Sequence, residues 1–263
     1  MSNRPRVEEE SVRVLVTNDD GIESPGLSAL AEVVRQSGHD VLVAAPCWDS
    51  SGSSSSVTGV SSFGEVVWEQ IPWVGWPEGA VISVDATPAL ITLVAIHEKF
   101  GMRPDFVVSG INRGANTGRA ILHSGTVGAA FTAFQYGCPA LAMSLDVLDA
   151  PPESMHWGTA AMVAKRVLDW ICDDLRHAVI NCNVPNVPLD GLAGIRQGVL
   201  DLLGTFQTSI TEQSGRSVPM TVAESDALGN DTDSALLQQR FASVTALLPV
   251  VEDAAVNFKA LLD

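Results

Sequence analysis

The sequence predicts an α/β fold: a mainly parallel sheet with helices on both faces, followed by a β-rich C-terminal extension. Three observations predict it. Short, near-continuous apolar runs alternate with segments of helical periodicity over the first two thirds of the chain, the pattern of strands buried on both faces. Polar clusters follow those runs directly, as expected where ligands bind outside the carboxyl ends of parallel strands. The chain has 263 residues, 46% hydrophobic and 17% charged, which is enough to bury roughly 70–75% of its unfolded surface.

The elements follow in order. Val12–Thr17 reads as the first strand. Pro25 to Ser37 reads as a helix, because Leu27, Leu30, Ala31 and Val34 recur at three and four and Gly38 suits its end. Asp40–Ala45 is the second strand, and Ser50 to Ser56 a Ser/Gly loop. Weaker strands are expected near Glu65–Glu69 and Ala80–Val84, with a Trp/Pro/Gly turn between them. Thr87-Pro88 reads as an N-cap followed by proline at the first helical position, opening a helix to about Phe100. Asp105–Ser109 is a strand, Gly110 to Ser124 a Gly/Asn-rich loop, and Gly125 to Tyr136 a helix of small residues. Ala140–Ser144 is a strand, Met155 to Cys172 an amphipathic helix, and Ala178–Asn183 the last clear core strand. Gly191 to Val250 turns richer in Thr, Ser, Gln and Val and reads as strands and loops; Val251 to Leu262 suits a closing helix. The expected division is a catalytic core over 11–190 and an extension over 191–263.

The formal net charge is -16, and no basic stripe offers a footprint for a nucleic-acid duplex. Repulsion of a small anion by this surface is screened beyond about 8 Å at physiological salt, so a local cation can override it. The four cysteines form no C-x-x-C pair and no zinc-type spacing with histidine. Reduced thiols in a cytoplasm, with no apolar signal core and no run long enough to span a bilayer, are the expectation.

Four polar clusters close predicted strands or open the helix at 125: Asn18-Asp19-Asp20-Gly21, Ser50-Ser51-Gly52-Ser53, Ser109-Gly110-Ile111-Asn112 and His123-Ser124-Gly125-Thr126. In a parallel sheet they converge on one edge. Oxygen donors without His or Cys suit a hard divalent cation such as Mg²⁺ or Mn²⁺. Adjacent carboxylates repel unless a positive charge lies between them; a dication and a dianion ~4 Å apart attract by roughly 4 kcal/mol even in water. The helix start at Ser124-Gly125-Thr126 offers backbone N–H donors and a positive dipole end for phosphate. Taken one at a time, these clusters also read as a turn, a flexible loop and a helix cap; their joint placement carries the metal and phosphate reading.

These residues bring a known family into view. "VTNDDGIESPGLSAL", "AAPCWDSSGSSSSVT", "PDFVVSGINRGANTG", "HSGTVGAAFTAFQYGCPALAMSL", "NCNVPNVP" and "DTDSALL…FASVTALLP" occur in this order. The chain resembles the SurE family of metal-dependent 5'/3'-nucleotidases from about Arg13 to Pro249. The resemblance implies a Rossmann-like core and one divalent cation per subunit on Asp19, Asp20, Ser51 and Asn112. It places Asn18, Gly52 and Asn116 around metal and phosphate, and Ser124, Gly125 and Thr126 at the phosphate-binding turn. It further implies a nucleoside monophosphate substrate and a homodimer or homotetramer joined through the extension. The chain departs from the family at Cys47-Trp48-Asp49-Ser50, where basic and amide groups are usual, and at Arg119 and His123.

The chemistry expected is phosphomonoester hydrolysis by a metal-activated water, with Asp19, Asp20 and Asn112 in the catalytic set and Asp19 favoured over Asp20 as base. A covalent route through an aspartyl-phosphate is the mechanistic alternative. A phosphatase for a non-nucleotide metabolite and a catalytically silent binding protein are the functional ones. His123 at the cradle, Arg113 and Arg119 as local cations, and Trp73 and Trp76 as a base platform stay open beside plain solvation or packing.

Overall fold

The computed structural model describes residues 11–59, 64–147, 150–173, 178–203, 206–210, 220–224 and 229–252. The strands are β1 (Arg13–Thr17), β2 (Asp40–Pro46), β3 (Trp68–Gln70), β4 (Val81–Val84), β5 (Phe106–Arg113), β6 (Ala140–Asp146), β7 (Val179–Pro185), β8 (Gly194–Gln197), β9 (Phe206–Ile210), β10 (Met220–Glu224) and β11 (Phe241–Leu247). The helices are α1 (Pro25–Gln36), α2 (Pro88–Ile96), α3 (Gly125–Gln135), α4 (Trp157–Asp173) and α5 (Asp233–Gln238).

Nine strands form one sheet in the order β3-β4-β2-β1-β5-β6-β7-β11-β8. β4, β2, β1, β5, β6 and β7 run parallel; β3 and β11 are antiparallel to their inner neighbours. β9 and β10 pair as a separate antiparallel ribbon. The chain leaves β1 towards β2 on one side and later returns to β5 on the other. The β1/β5 boundary is therefore the point where strand order reverses, the usual place for a ligand crevice in such sheets.

Strand alternation divides the core in two. Val14 and Val16, with Phe106, Val108, Leu141 and Met143, pack under α1 and α4. Leu15, Leu42, Ala44, Val107, Ala140 and Ala142 face α2 and α3. Burying each large aliphatic side chain contributes about 1.5–3 kcal/mol, so both faces hold the sheet against helices. The α3 face is lined by small residues (Ala140, Ala142, Ala130, Ala133), which lets α3 lie close to the strand ends.

The structure corrects several expectations. α2 stops at Ile96, because Glu98 and Gly101 take positive φ angles that no helix continues through. Thr87 does not cap it with its side chain; its hydroxyl donates instead to the Ser56 carbonyl. β5 runs on through Gly110 to Arg113. The Ser-Gly-Ile-Asn stretch stays in the sheet through a register shift that brings Asn112 opposite Ser144. β7 is not the last strand of the core: β11 pairs along it and carries β8 outward. The extension also holds a helix, α5, where strands and loops were expected. The closing helix expected from Val251 falls outside the described residues after 252.

Candidate active site

Asp19 and Asp20 follow β1 directly. Asp19 is 3% exposed, and its Oδ1 accepts the Thr126 hydroxyl at 2.5 Å. Its backbone carbonyl accepts from the Ser50 amide at 2.7 Å and from the Ser50 hydroxyl at 3.2 Å. Asp20 is partly exposed and accepts the Arg113 backbone N–H at 2.9 Å. Four elements of the expected edge thus meet here: the ends of β1, β2 and β5 and the start of α3.

Burial pushes both carboxyls up. For Asp19 burial outweighs the bond from Thr126. Asp20 is raised to about 7 by burial first and then by the charge of Asp19, against the Arg113 amide. A buried pair of this kind is relieved by a cation placed between its members. Among the described residues no trio of His, Cys, Asp or Glu converges on a metal. The donors that fit are the two carboxylates with neutral oxygens, a set suited to a hard divalent ion.

The remaining expected residues take distinct places. The Asn112 amide donates to the Gly114 carbonyl at 2.8 Å, which occupies its nitrogen and fixes the side chain. Ser51 is exposed; its hydroxyl and amide both donate to Asp49, at 2.6 and 2.9 Å. It is Ser50, not Ser51, that bonds to the Asp19 backbone. Gly52 lies at the exposed tip with φ +79°. Asn18 is fully buried, donates to the Gly21 carbonyl, and leaves Oδ1 without a partner. Ser124 caps α3 by accepting the Val127 N–H. A Cβ at Gly125 would stand 2.7 Å from Asp19 Oδ2, so only glycine lets the first turn of α3 come this close to the carboxylate.

Asn116 is turned away from that carboxylate. Its amide donates to the Ser144 hydroxyl at 2.8 Å, its N–H donates to Asn183 Oδ1 at 2.7 Å, and its carbonyl accepts from Asn181 and Asn183. Asn181 and Asn183 are fully buried on β7 and anchor the loop that leads to α3. The sequence signal was there: Asn-Cys-Asn places two amides on one face of a buried strand. Asp233, at the start of α5, holds the same loop by accepting the Gly118 N–H at 2.8 Å. It also accepts from the Asp201 and Ser234 amides. No local pattern announces a contact across 115 positions.

A reversing parallel sheet with a paired carboxylate and a glycine-opened helix N-terminus at its crevice defines a Rossmann-like α/β protein. The family model "Survival protein SurE" matches residues 14–204. The 5'/3'-nucleotidase SurE of Escherichia fergusonii is 35% identical over 243 residues, covering 90% of each chain. That of Edwardsiella ictaluri is 35% identical over 243 residues, covering 90% of this chain and 89% of its own. The crystal structure of the SurE protein from Aquifex aeolicus superimposes with a TM-score of 0.80 at 25% identity, covering 95% of this chain and 100% of that one. The chain belongs to the SurE family.

Proposed function

We propose that this protein hydrolyses nucleoside 5'- and 3'-monophosphates in a divalent-metal-dependent reaction. The observation that carries the reading is the Asp19 junction: a buried carboxylate held by Thr126, beside Asp20 and against the first turn of α3. Family membership makes the protein a phosphoric monoester hydrolase; the nucleotide substrate comes from the relatives' names.

Asp19, Asp20, Asn112 and Ser51 are the residues that would hold the cation, Mg²⁺ or Mn²⁺. When bound, it neutralises phosphate charge and lowers the pKa of a coordinated water. The amides at the start of α3 and the Ser124 hydroxyl bind phosphoryl oxygens, and the helix dipole favours the charge that builds there. Thr126 occupies one oxygen of Asp19. The other, Oδ2, lies beside Gly125 and is the atom we assign both to face the cation and to accept the water's proton. Asn18 and Asn116 act through the loops they brace, Asn18 at Gly21 and Asn116 at Ser144 and Asn183, and Gly52 gives the serine loop its turn.

The loop Cys47-Trp48-Asp49 supports a second reading, a phosphatase for a non-nucleotide metabolite, because basic groups usual in the family are missing. We further place the protein in a cytoplasm as a homodimer or homotetramer. The free thiols Cys47, Cys138 and Cys182 fit a reducing compartment. Exposed Leu202, Leu203 and Leu248 fit a subunit interface through the extension. No helix among the described residues is long and apolar enough to cross a membrane.

The test is phosphate release from a panel of mononucleotides, sugar phosphates and polyphosphate with Mn²⁺, with chelator, and with Asp19→Ala. Metal-dependent release from mononucleotides, abolished in the variant, is expected. Persistent release by Asp19→Ala removes this site from the chemistry.

A further inference from the structure

Ser53 is exceptional in the serine loop. Its Oγ is buried and has no hydrogen-bond partner. A Cβ built on Gly125 would lie 2.7 Å from that Oγ and 2.7 Å from Asp19 Oδ2. The hydroxyl therefore sits over the first residue of α3, on the side of the helix start that Asp19 also faces.

Its position is fixed by the backbone. The Ser53 N–H donates to the Ser50 carbonyl at 3.0 Å, and the Ser53 carbonyl accepts from Ser56 at 3.0 Å. Ser54 donates its hydroxyl to the Leu122 carbonyl at 2.7 Å. The Ser54 carbonyl lies only 2.2 Å from where a Cβ on Gly128 would stand, so the loop is seated directly on α3. The Ser53 backbone cannot move off α3 without lifting this loop.

It is not alone. Thr17 Oγ1, Asn18 Oδ1 and Ser109 Oγ are also buried without partners, and Asn18, Thr17 and Ser109 are 0% exposed. Thr17, the last residue of β1, stands opposite Ser109, just before the register shift in β5. Polar atoms buried in this way are normally satisfied by protein, ligand or ordered water, so those at the β1 and α3 junctions leave places for a polar occupant; three others, Thr92 Oγ1, Asn181 Oδ1 and Ser243 Oγ, lie on α2, β7 and β11. Ser53 Oγ is the orphan beside a helix N-terminus, where the local field favours an anion. A serine hydroxyl supplies the hydrogen that an anionic oxygen accepts.

We infer that Ser53 is a phosphate-binding residue of this chain, its hydroxyl donating to a phosphoryl oxygen of the substrate held at the start of α3. The inference rests on the phosphomonoesterase reading above. It adds a contact from the serine loop to those from α3, so that the anion is gripped from both sides of the crevice.

The experiment measures inorganic phosphate binding by calorimetry to the wild type, Ser53→Ala and Ser53→Thr, each with Mg²⁺ and with chelator, beside thermal melts without ligand. Ser53→Ala is expected to bind phosphate about tenfold more weakly, the loss of one hydrogen bond to a charged group. Its ligand-free melting temperature should be unchanged or slightly higher, because the hydroxyl makes no bond in the free protein. Ser53→Thr, which keeps the hydroxyl, should bind as wild type does. Equal phosphate affinity in wild type and Ser53→Ala overturns the inference and assigns the hydroxyl to trapped water, while leaving the hydrolase reading intact. A wild type that binds no phosphate and hydrolyses no phosphomonoester overturns both.

Discussion

Thr126 and Asp19 are 107 positions apart, and the hydroxyl of one donates to the carboxylate of the other inside the protein. This bond ties the first turn of α3 to the end of β1. It fixes which oxygen of Asp19 is spent and which remains. Thr126→Val keeps the shape and removes the hydrogen. Hydrogen bonds to charged groups contribute about 1.5–3 kcal/mol, so Mn²⁺ affinity measured by calorimetry should fall roughly tenfold or more, and kcat/KM with it. Thr126→Ser should restore most of both. Unchanged metal affinity in the valine variant would show that Asp19 is positioned by burial alone.

The Asp20 carboxyl gives a pH signature. It moves from an ordinary 3.8 to about 7 in the folded, cation-free protein, through burial and the neighbouring Asp19. A raised folded-state value means the stabilising form is the neutral one. Its contribution is complete below about pH 4 and is lost as pH rises through 7. Melting temperature in chelator should therefore fall between about pH 4 and 7 and level off above. Saturating Mn²⁺ should flatten the fall, since the cation favours the charged pair. Asp20→Asn, which cannot ionise, should remove much of the slope in chelator. A slope identical in wild type and Asp20→Asn would place the titration elsewhere.

The inner strands and the crevice were legible because each was written locally. Val14–Val16, Val41–Ala45 and Ala140–Met143 are apolar on both faces, as strands between two helical layers are. The polar clusters stand at their ends. What local pattern could not carry was pairing at long range. Phe241–Leu247 alternates polar and apolar residues like a half-exposed ribbon, and only its register with β7 shows that it completes the main sheet. Ser-Gly-Ile-Asn reads as a loop because Gly and Asn favour turns, yet the register shift keeps it in β5. Ser50–Ser56 has the composition of a free loop. It is held down by Gly128, Thr87 and Leu122, whose positions depend on the whole fold.

Asp233 links the extension to the crevice. It is fully buried and accepts N–H groups from Gly118, Asp201 and Ser234. Asp233→Asn turns one acceptor into a donor, so one of these amides loses its partner. An unsatisfied buried amide costs about 1–3 kcal/mol, and each kcal/mol shifts the melting temperature by roughly 2–4 °C at this size. A drop of several degrees is expected. Because Gly118 belongs to the loop that ends at Ser124, KM should rise several-fold more than kcat falls. A variant with lowered melting temperature and unaltered KM would confine Asp233 to holding α5.

Gly128 decides whether the serine loop can reach the crevice at all. A Cβ there would stand 2.2 Å from the Ser54 carbonyl, a contact that neither backbone can absorb in place. Two effects oppose each other in Gly128→Ala. Helix propensity favours alanine by about 1 kcal/mol, while overpacking costs about 1–3 kcal/mol. The steric term should win, since the obstructing atom is backbone and cannot rotate aside. The loop then lifts, taking Ser50 from the Asp19 carbonyl and Ser53 from the start of α3. Gly158→Ala on α4 is the comparator, for its Cβ would meet nothing within 4 Å. That variant should keep wild-type kcat/KM and an unchanged or higher melting temperature. Gly128→Ala should lose at least tenfold in kcat/KM, about 1.4 kcal/mol, and become cleavable by protease within 50–56. Full activity with an intact loop would mean that α3 can move outward freely, and that the seating of the serine loop on it is not what shapes the site.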